Sequence, residues 1–338
     1  MREKSTKNFE DFLSILKVSE GRDNWTNVAL HAIIKLFVYK IQSTQRKSEK
    51  MSEVIQLKAY GKINLGLDVV RKREDGYHEV RMIMQTVSVC DSLTLKKTDV
   101  PGIKLETNLD WLPVDERNLA YRAADMLMKE FGIKEGVHIC LEKNIPVAAG
   151  MAGGSTDAAA VLKGVNQLFS LGLSEEELMK RGVKLGADVP YCIMGGTALS
   201  EGIGEILTRL PALPMCHLLI AKPEVGVSTK FVYGNLRANE LKAHPDIDGM
   251  AEAIRNGELS GVVSRLENVL ETVTIPAYPI IDEIKCFMKK HGAENVLMSG
   301  SGPTVFGIYT DEELLHEAAE ALKESGLVKQ IYEAKPVN

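Results

Sequence analysis

Beyond position 54 the chain switches repeatedly between two hydrophobic periods. A period of two, which puts every second side chain on one face of a strand, runs over 54–60, 65–70, 82–89 and 93–97, with a short stretch at 103–106. Arg71-Lys-Arg-Glu-Asp-Gly76 carries an Asp-Gly turn signal between the second and third of these. Over 118–131 the period lengthens to that of a helix, with Leu119, Ala123, Leu127 and Phe131 near one face. Val137, Ile139 and Leu141 then alternate with His138, Cys140 and Glu142 as a further strand. Helices follow over 156–169 and 175–185, the second opened by Ser174 and Glu177 in the spacing of a capping box. Residues 195–205 read as two short strands around a tight turn, and 210–214, with prolines at both 211 and 214, as a crossover. The remainder reads as a strand at 217–221, helices near 228–236, 247–256, 259–270 and 278–291, strands at 296–299 and 305–309, a helix at 311–325 and a strand at 330–334. Its closing order of strand, turn, strand, helix, strand is that of a ferredoxin-like α+β layer.

Residues 1–50 stand apart. They are basic, carry no glycine motif and end in the polar run Gln42-Ser-Thr-Gln-Arg-Lys-Ser-Glu-Lys50. They read as an extension, disordered or upstream of a true start at Met51, with one amphipathic helix over 27–41.

With 338 residues, two domains are expected. A net charge of −5 gives no general electrostatic reason to bind nucleic acid or an anionic membrane. No stretch reaches the ~18 apolar residues of a membrane span, since Val28 to Val38 is interrupted by His31 and Lys35. Residues 1–10 are charged and lack the apolar core of a secretory signal. The five cysteines are scattered, without a CxxC pair, which favours reduced thiols in a cytoplasmic protein and disfavours a structural zinc site.

The chemistry concentrates in one segment, Pro146-Val-Ala-Ala-Gly150-Met-Ala-Gly153-Gly154-Ser155-Thr156-Asp157. Its glycines let backbone N–H groups approach a ligand. The Ser/Thr/Asp cluster ahead of an alanine-rich run marks a helix N-terminus, where orphan N–H groups and the helix dipole favour an anion. A strand, a glycine loop and a helix in that order suit a nucleotide phosphate, although the segment also fits a plain capping loop. Neither the Walker loop nor the dinucleotide spacing matches, because no lysine follows the glycines and they are spaced three and one apart.

Four other constellations stand out. Lys62 and Asn64, two apart, share a strand face; they could hold a hydroxyl and a developing negative charge, and equally fit a solvated face. Asp188, in Leu185-Gly-Ala-Asp-Val-Pro190, is a lone carboxylate among apolar residues just past a helix end, suited to a general base or to a capping role. Tyr77 and His78 pair an aromatic face with an imidazole, as stacking and edge recognition of a base require. Ser299-Gly-Ser-Gly302 is a second glycine turn between strands.

Taken in order, Lys62-Ile-Asn64, Pro146 to Asp157 and Ser299 to Gly302 resemble the three-motif layout of the GHMP small-molecule kinases. Arg73-Glu-Asp-Gly-Tyr77-His78, Leu185 to Pro190, Gly195-Gly-Thr-Ala and Gly226-Val-Ser-Thr229 are similar to the branch acting on a cytidyl-diphosphate polyol in non-mevalonate isoprenoid synthesis. The resemblance covers about 54–336. It implies an α+β fold of two domains, an S5-like α/β domain over 54–213 and a ferredoxin-like domain over 214–338. It implies transfer of the ATP γ-phosphoryl to a 2-hydroxyl, with Mg²⁺. By motif position Asp188 and Lys62 would be catalytic. Asn64 and Thr229 would contact the polyol, and Tyr77, His78 and Tyr233 the cytosine. Pro146, Ala149, Gly150, Met151, Ala152, Gly153, Gly154 and Ser155 would form the ATP loop, with Ser155 reaching a phosphate or the metal. The partner would be this small molecule, not nucleic acid or membrane.

The loop departs from the family at Ala152, often a glycine, and at Thr156, often a serine; it is expected to work with Ala152 at an ordinary φ. Gly61 replaces the Pro or Ala often seen before the motif lysine. A homoserine or mevalonate-type kinase is the runner-up, disfavoured because a base-binding pair has no task in those substrates. A non-catalytic nucleotide sensor is disfavoured by the presence of both Lys62 and Asp188.

Overall fold

Antiparallel pairing joins Val54–Lys72 (β1) to His78–Thr98 (β2) along almost their whole length, from Val54 opposite Lys96 to Lys72 opposite His78. These are elements of a computed structural model that describes residues 54–241 and 243–338. The extension, the start at Met51 and the helix over 27–41 lie outside the described residues. Each long strand replaces two that the periodicity predicts as separate. The pattern breaks at 61–64 because β1 slips register between Tyr60 and Lys62 and again between Asn64 and Gly66. A bulge shifts the side-chain phase without ending the strand.

The first sheet has the order β3-β4-β2-β1-β8, with β5 paired to β2 and β6 to β5. Here β3 is Gly102–Thr107, β4 Gly136–Glu142, β5 Thr197–Glu201, β6 Ile206–Arg209 and β8 Glu267–Asn268. Two helices, Leu119–Glu130 (α1) and Gly153–Leu168 (α2), cover one face at the β4 end. Leu93, Leu95, Ile139 and Leu141 meet Ala123, Leu127, Val161 and Val165 there. Asn118 caps α1 by accepting a bond from the Ala120 N–H. A Cβ at Gly164 would stand 2.7 Å from Leu57 Cδ1 and Leu95 Cδ2, so any larger residue there would force those leucine tips to shift.

Two further helices follow, Glu175–Gly182 (α3), opened by the expected Ser174–Glu177 capping box, and Val189–Met194 (α4), too short for periodicity to reveal. The second sheet, β11-β7-β10-β9, is antiparallel throughout, with β7 His217–Lys222, β9 Asn295–Met298, β10 Val305–Tyr309 and β11 Gln330–Ala334. Its order is that of the ferredoxin-like unit expected from the sequence. Its alternating faces go to different cores. Leu219, Ala221 and Val305 pack with Ile281, Ile284 and Leu322 of Ile280–Lys290 (α9) and Glu312–Glu324 (α10), while Leu218, Ile220 and Phe306 pack with Ile63, Leu65 and Ile83.

Between β7 and β9 lie Thr229–Asn235 (α5), Ile247–Arg255 (α6), Leu259–Val263 (α7) and Glu271–Ala277 (α8). The single helix expected over 259–270 is corrected here. Asn268 is drawn out of it to donate to the Met298 and Gly300 carbonyls, and β8 runs parallel to Gly66 and Leu67 of β1. That tertiary demand, invisible to local periodicity, splits the helix and leaves α8 to restart after it.

Candidate active site

A cleft of about 820 Å³ gathers most of the residues singled out from the sequence: Lys62, Asn64, Tyr77, His78, Ala149, Gly150, Ala152, Gly153, Gly154, Ser155, Asp188, Thr229 and Tyr233 all line it. Pro146 and Met151 do not line the cleft. Met151 is fully buried in the core beside Ile63 and Ile145, and contributes its carbonyl to the Lys62 N–H at 3.1 Å.

Lys62 and Asn64 sit between the first two bulges of β1, where both faces of the strand are covered. They are 5% and 0% exposed, which removes the reading of a solvated face. Lys62 Nζ donates to Asn64 Oδ1 at 2.7 Å and faces Asp188 Oδ2 at 3.9 Å. Asn64 therefore spends its acceptor on aiming the ammonium. Asp188 stands at the N-cap position of α4, yet its side chain makes no capping bond, so the capping reading fails. Its carboxylate is one-third exposed and faces the ammonium.

The glycine loop reaches the same place from β4. Its backbone alternates through positive φ at Ala148 (52°), Gly150 (75°) and Ala152 (57°), then enters α2. Alternation of this kind turns successive N–H groups into one concavity, an anion nest. The helix starts at Gly153 rather than near 156, with Thr156 N–H the donor of the first helical bond, to Ala152 O. The N–H groups of Gly153, Gly154 and Ser155 are thus the orphan donors of a sixteen-residue helix and open on the cleft. The expectation of an ordinary φ at Ala152 is overturned: this alanine holds the left-handed conformation that a glycine would adopt without cost.

Thr156 and Asp157 face inward. Thr156 Oγ1 donates to the Tyr60 carbonyl at 2.6 Å. Asp157 Oδ2 accepts from buried Lys143 at 2.7 Å, and Lys143 also binds the buried Asp91. Burial drives the Asp157 carboxyl pKa upward against the pull of Lys143. Asp91 fixes the strand-to-loop exit by accepting from the Asn144 and Ile145 N–H groups at 2.5 and 2.7 Å. The second glycine turn buttresses the first, with Ser299 Oγ donating to Gly150 O at 3.0 Å.

The far end of the cleft is aromatic. The turn before β2 is closed by Arg73 N–H to Tyr77 O at 2.8 Å and by Tyr77 N–H to Asp75 Oδ1 at 3.1 Å, and Tyr77 is 59% exposed. His78 lies 5.1 Å from the Tyr233 ring, tilted by 48°. Burial, reinforced by the positive charge of Lys72, lowers the His78 pKa and so favours the neutral imidazole. Burial raises the Tyr233 phenol, with the Asp188 charge adding to it, so that hydroxyl stays protonated. Thr229 begins α5, which is capped by Ser228, and opens on the cleft.

Lys72 and Lys230 line the cleft without having been given a role, as does Ser301 of the second glycine turn. The signals were present: Lys72 lies in the basic run 71–73, Lys230 follows the Thr229 motif, and Ser301 sits in the second glycine turn. Two lysines beside an aromatic end suit a ligand carrying its own phosphates. For a magnesium ion the donors are sparse: Asp157 is committed to Lys143, which leaves the Ser155 hydroxyl and Asp188. That set fits an ion held chiefly by nucleotide oxygens and water.

Comparison with known proteins agrees with this arrangement. The sequence profiles described as GHMP kinases N terminal domain and GHMP kinases C terminal match residues 118–196 and 239–327. A Lachnospira eligens protein named 4-diphosphocytidyl-2-C-methyl-D-erythritol kinase is 55% identical over 280 residues, 83% of this chain and 97% of that protein. A Clostridium perfringens protein of the same name is 49% identical over 284 residues, 84% of this chain and 99% of that protein. Among solved structures, one titled 4-(cytidine 5'-diphospho)-2C-methyl-D-erythritol kinase superposes with a TM-score of 0.73 at 33% identity, covering 84% of this chain and 100% of that one. A homoserine kinase from Cytophaga hutchinsonii shares the fold, with a TM-score of 0.69 at 20% identity, 83% of this chain and 94% of that one.

Proposed function

The chain belongs to the 4-diphosphocytidyl-2-C-methyl-D-erythritol kinases of the GHMP kinase family, and from this premise we infer how its cleft carries out the reaction. It transfers the γ-phosphoryl of ATP to the 2-hydroxyl of 4-diphosphocytidyl-2-C-methyl-D-erythritol, in non-mevalonate isoprenoid synthesis. The observation that carries the residue assignment is the convergence, in one cleft, of the uncapped Asp188 carboxylate, the Lys62 ammonium 3.9 Å away and the open N-terminus of α2.

Phosphoryl transfer asks a protein mainly for alignment and charge stabilisation. In our reading the nest of 148–152 and the first turn of α2 hold the ATP phosphates. Asp188 accepts the proton of the 2-hydroxyl as the P–O bond forms. Lys62, aimed by Asn64, orients that hydroxyl and stabilises the charge spreading over the transferred group. Mg²⁺, held by the nucleotide with Ser155 nearby, would neutralise phosphate charge when bound. Thr229 holds the polyol, Lys72 and Lys230 the substrate diphosphate, and Tyr77, His78 and Tyr233 the cytosine. We place the enzyme in the cytoplasm; all five cysteines are free thiols, and no helix among the described residues is long and apolar enough to cross a membrane.

The test is ATP turnover with the cytidylated substrate against the same polyol lacking the cytidyl group. Turnover confined to the cytidylated compound, with its KM raised in Tyr77→Ala, supports the assignment. Equal use of the bare polyol would move the cleft to another branch of the family.

A further inference from the structure

On the sheet face opposite α1 and α2, three side chains of metal-ligating type meet. Strands β3 and β4 pair in parallel, with Lys104 opposite His138 and Glu106 opposite Cys140. Ile103, Leu105, Val137, Ile139 and Leu141 point into the core, so Glu106, His138 and Cys140 stand together on the other face. His138 Nε2 lies 2.9 Å from Glu106 Oε2, and Cys140 Sγ lies 3.6 Å from His138 Nε2 and 3.9 Å from Glu106 Oε2. No ion is present, and all three ligand atoms fall within 4.8 Å of one another.

We propose that Glu106, His138 and Cys140 form a surface binding site for a zinc-class divalent transition-metal ion. Ligand atoms around a tetrahedral ion of this class stand about 3.3–3.6 Å apart, so the triangle closes on one with tip movements of about half an ångström. Thiolate with imidazole selects zinc-class ions over magnesium or calcium. The remaining Glu106 oxygen, Oε1, is held by Lys104 Nζ at 2.6 Å, which turns Oε2 towards the other two ligands, as an outer partner does in a built site. On binding, the Cys140 thiol proton leaves to solvent, and His138 offers the Nε2 lone pair with its proton on Nδ1. Three protein ligands leave a fourth position open to water or another ligand. The sequence could not show this site: His138 and Cys140 are only two ligands, and the third arrives from β3 through strand register. None of the three lines the kinase cleft.

The test is titration of the reduced, metal-free full chain with Co²⁺. One equivalent should bind with a thiolate-to-cobalt charge-transfer band, absent in Cys140→Ser, and His138→Ala should weaken binding at least ~10-fold. Kinase turnover should be unchanged in both variants. On the unmutated chain, Zn²⁺ should slow alkylation of Cys140 by iodoacetamide while leaving the exposed Cys286 unaffected. A missing band, a band that persists in Cys140→Ser, or Cys140 alkylation indifferent to Zn²⁺ would overturn the proposal.

Discussion

Lys62 shows how much one side chain's surroundings decide. In sequence it is a lysine on an amphipathic strand; in the fold it is an almost buried ammonium with one amide acceptor and one carboxylate in reach. Asn64→Ala should therefore lower kcat more than it raises either KM, because the amide fixes the ammonium; an unchanged kcat with a raised polyol KM would instead make Asn64 a substrate contact. His78 gives a pH prediction. Its folded pKa lies below 6.5, so between that value and 6.5 the unfolded chain binds more protons, and the imidazole's contribution to stability is lost as pH falls through this window. Protonation also adds a charge where, on the proposed assignment, the cytosine is held. The KM for the cytidylated substrate should rise as pH drops below 6.5 while the KM for ATP does not, and His78→Gln should flatten that profile.

At the scale of elements, the glycine loop is held by its neighbours as much as by its own residues. A Cβ on Gly150 would lie 2.2 Å from the Ser299 carbonyl oxygen, on a residue with φ of 75°. Gly150→Ala should separate the two glycine turns and raise the KM for ATP, and a KM equal to that of the parent would refute the buttress. Ala152 is the opposite case: left-handed alanine costs about 1–2 kcal/mol, partly offset by glycine's greater freedom when unfolded. Ala152→Gly should gain about 0.5–1 kcal/mol in urea unfolding. Below the loop, Lys143→Met would leave the buried carboxyls of Asp91 and Asp157 without their cation, at a cost of about 3–5 kcal/mol. Urea midpoints equal to the parent's would show that this trio is not a structural unit.

The elements also show where sequence stops being informative. The capping box at Ser174 and the helices expected over 118–131 and 311–325 are local facts and were legible. The bulges flanking Lys62 and Asn64 and the removal of Asn268 from its helix answer to partners far along the chain, and the positive φ of Ala152 breaks the ordinary preference of its residue type. The residue types of the site could thus be read, while the geometry that makes Lys62 buried and Asp188 uncapped could not.

At the scale of the molecule, the chemistry comes together because β1 and β2 run through all three hydrophobic cores. Their β4 end carries α1 and α2, and hence the glycine loop, while Ile63, Leu65 and Ile83 pack on the second sheet, which brings the 299–302 turn against that loop. Residues spread from Lys62 to Ser301 converge without any one element holding the site. The central claim is that Asp188 takes the proton in that cleft. The most direct measurement is kcat together with the equilibrium binding of ATP and of the cytidylated substrate in Asp188→Asn, which keeps the side-chain shape and removes the base. The account predicts affinities close to those of the parent and a kcat lower by about 10²–10⁴-fold. A kcat within a few-fold of the parent, with both ligands bound normally, would contradict it.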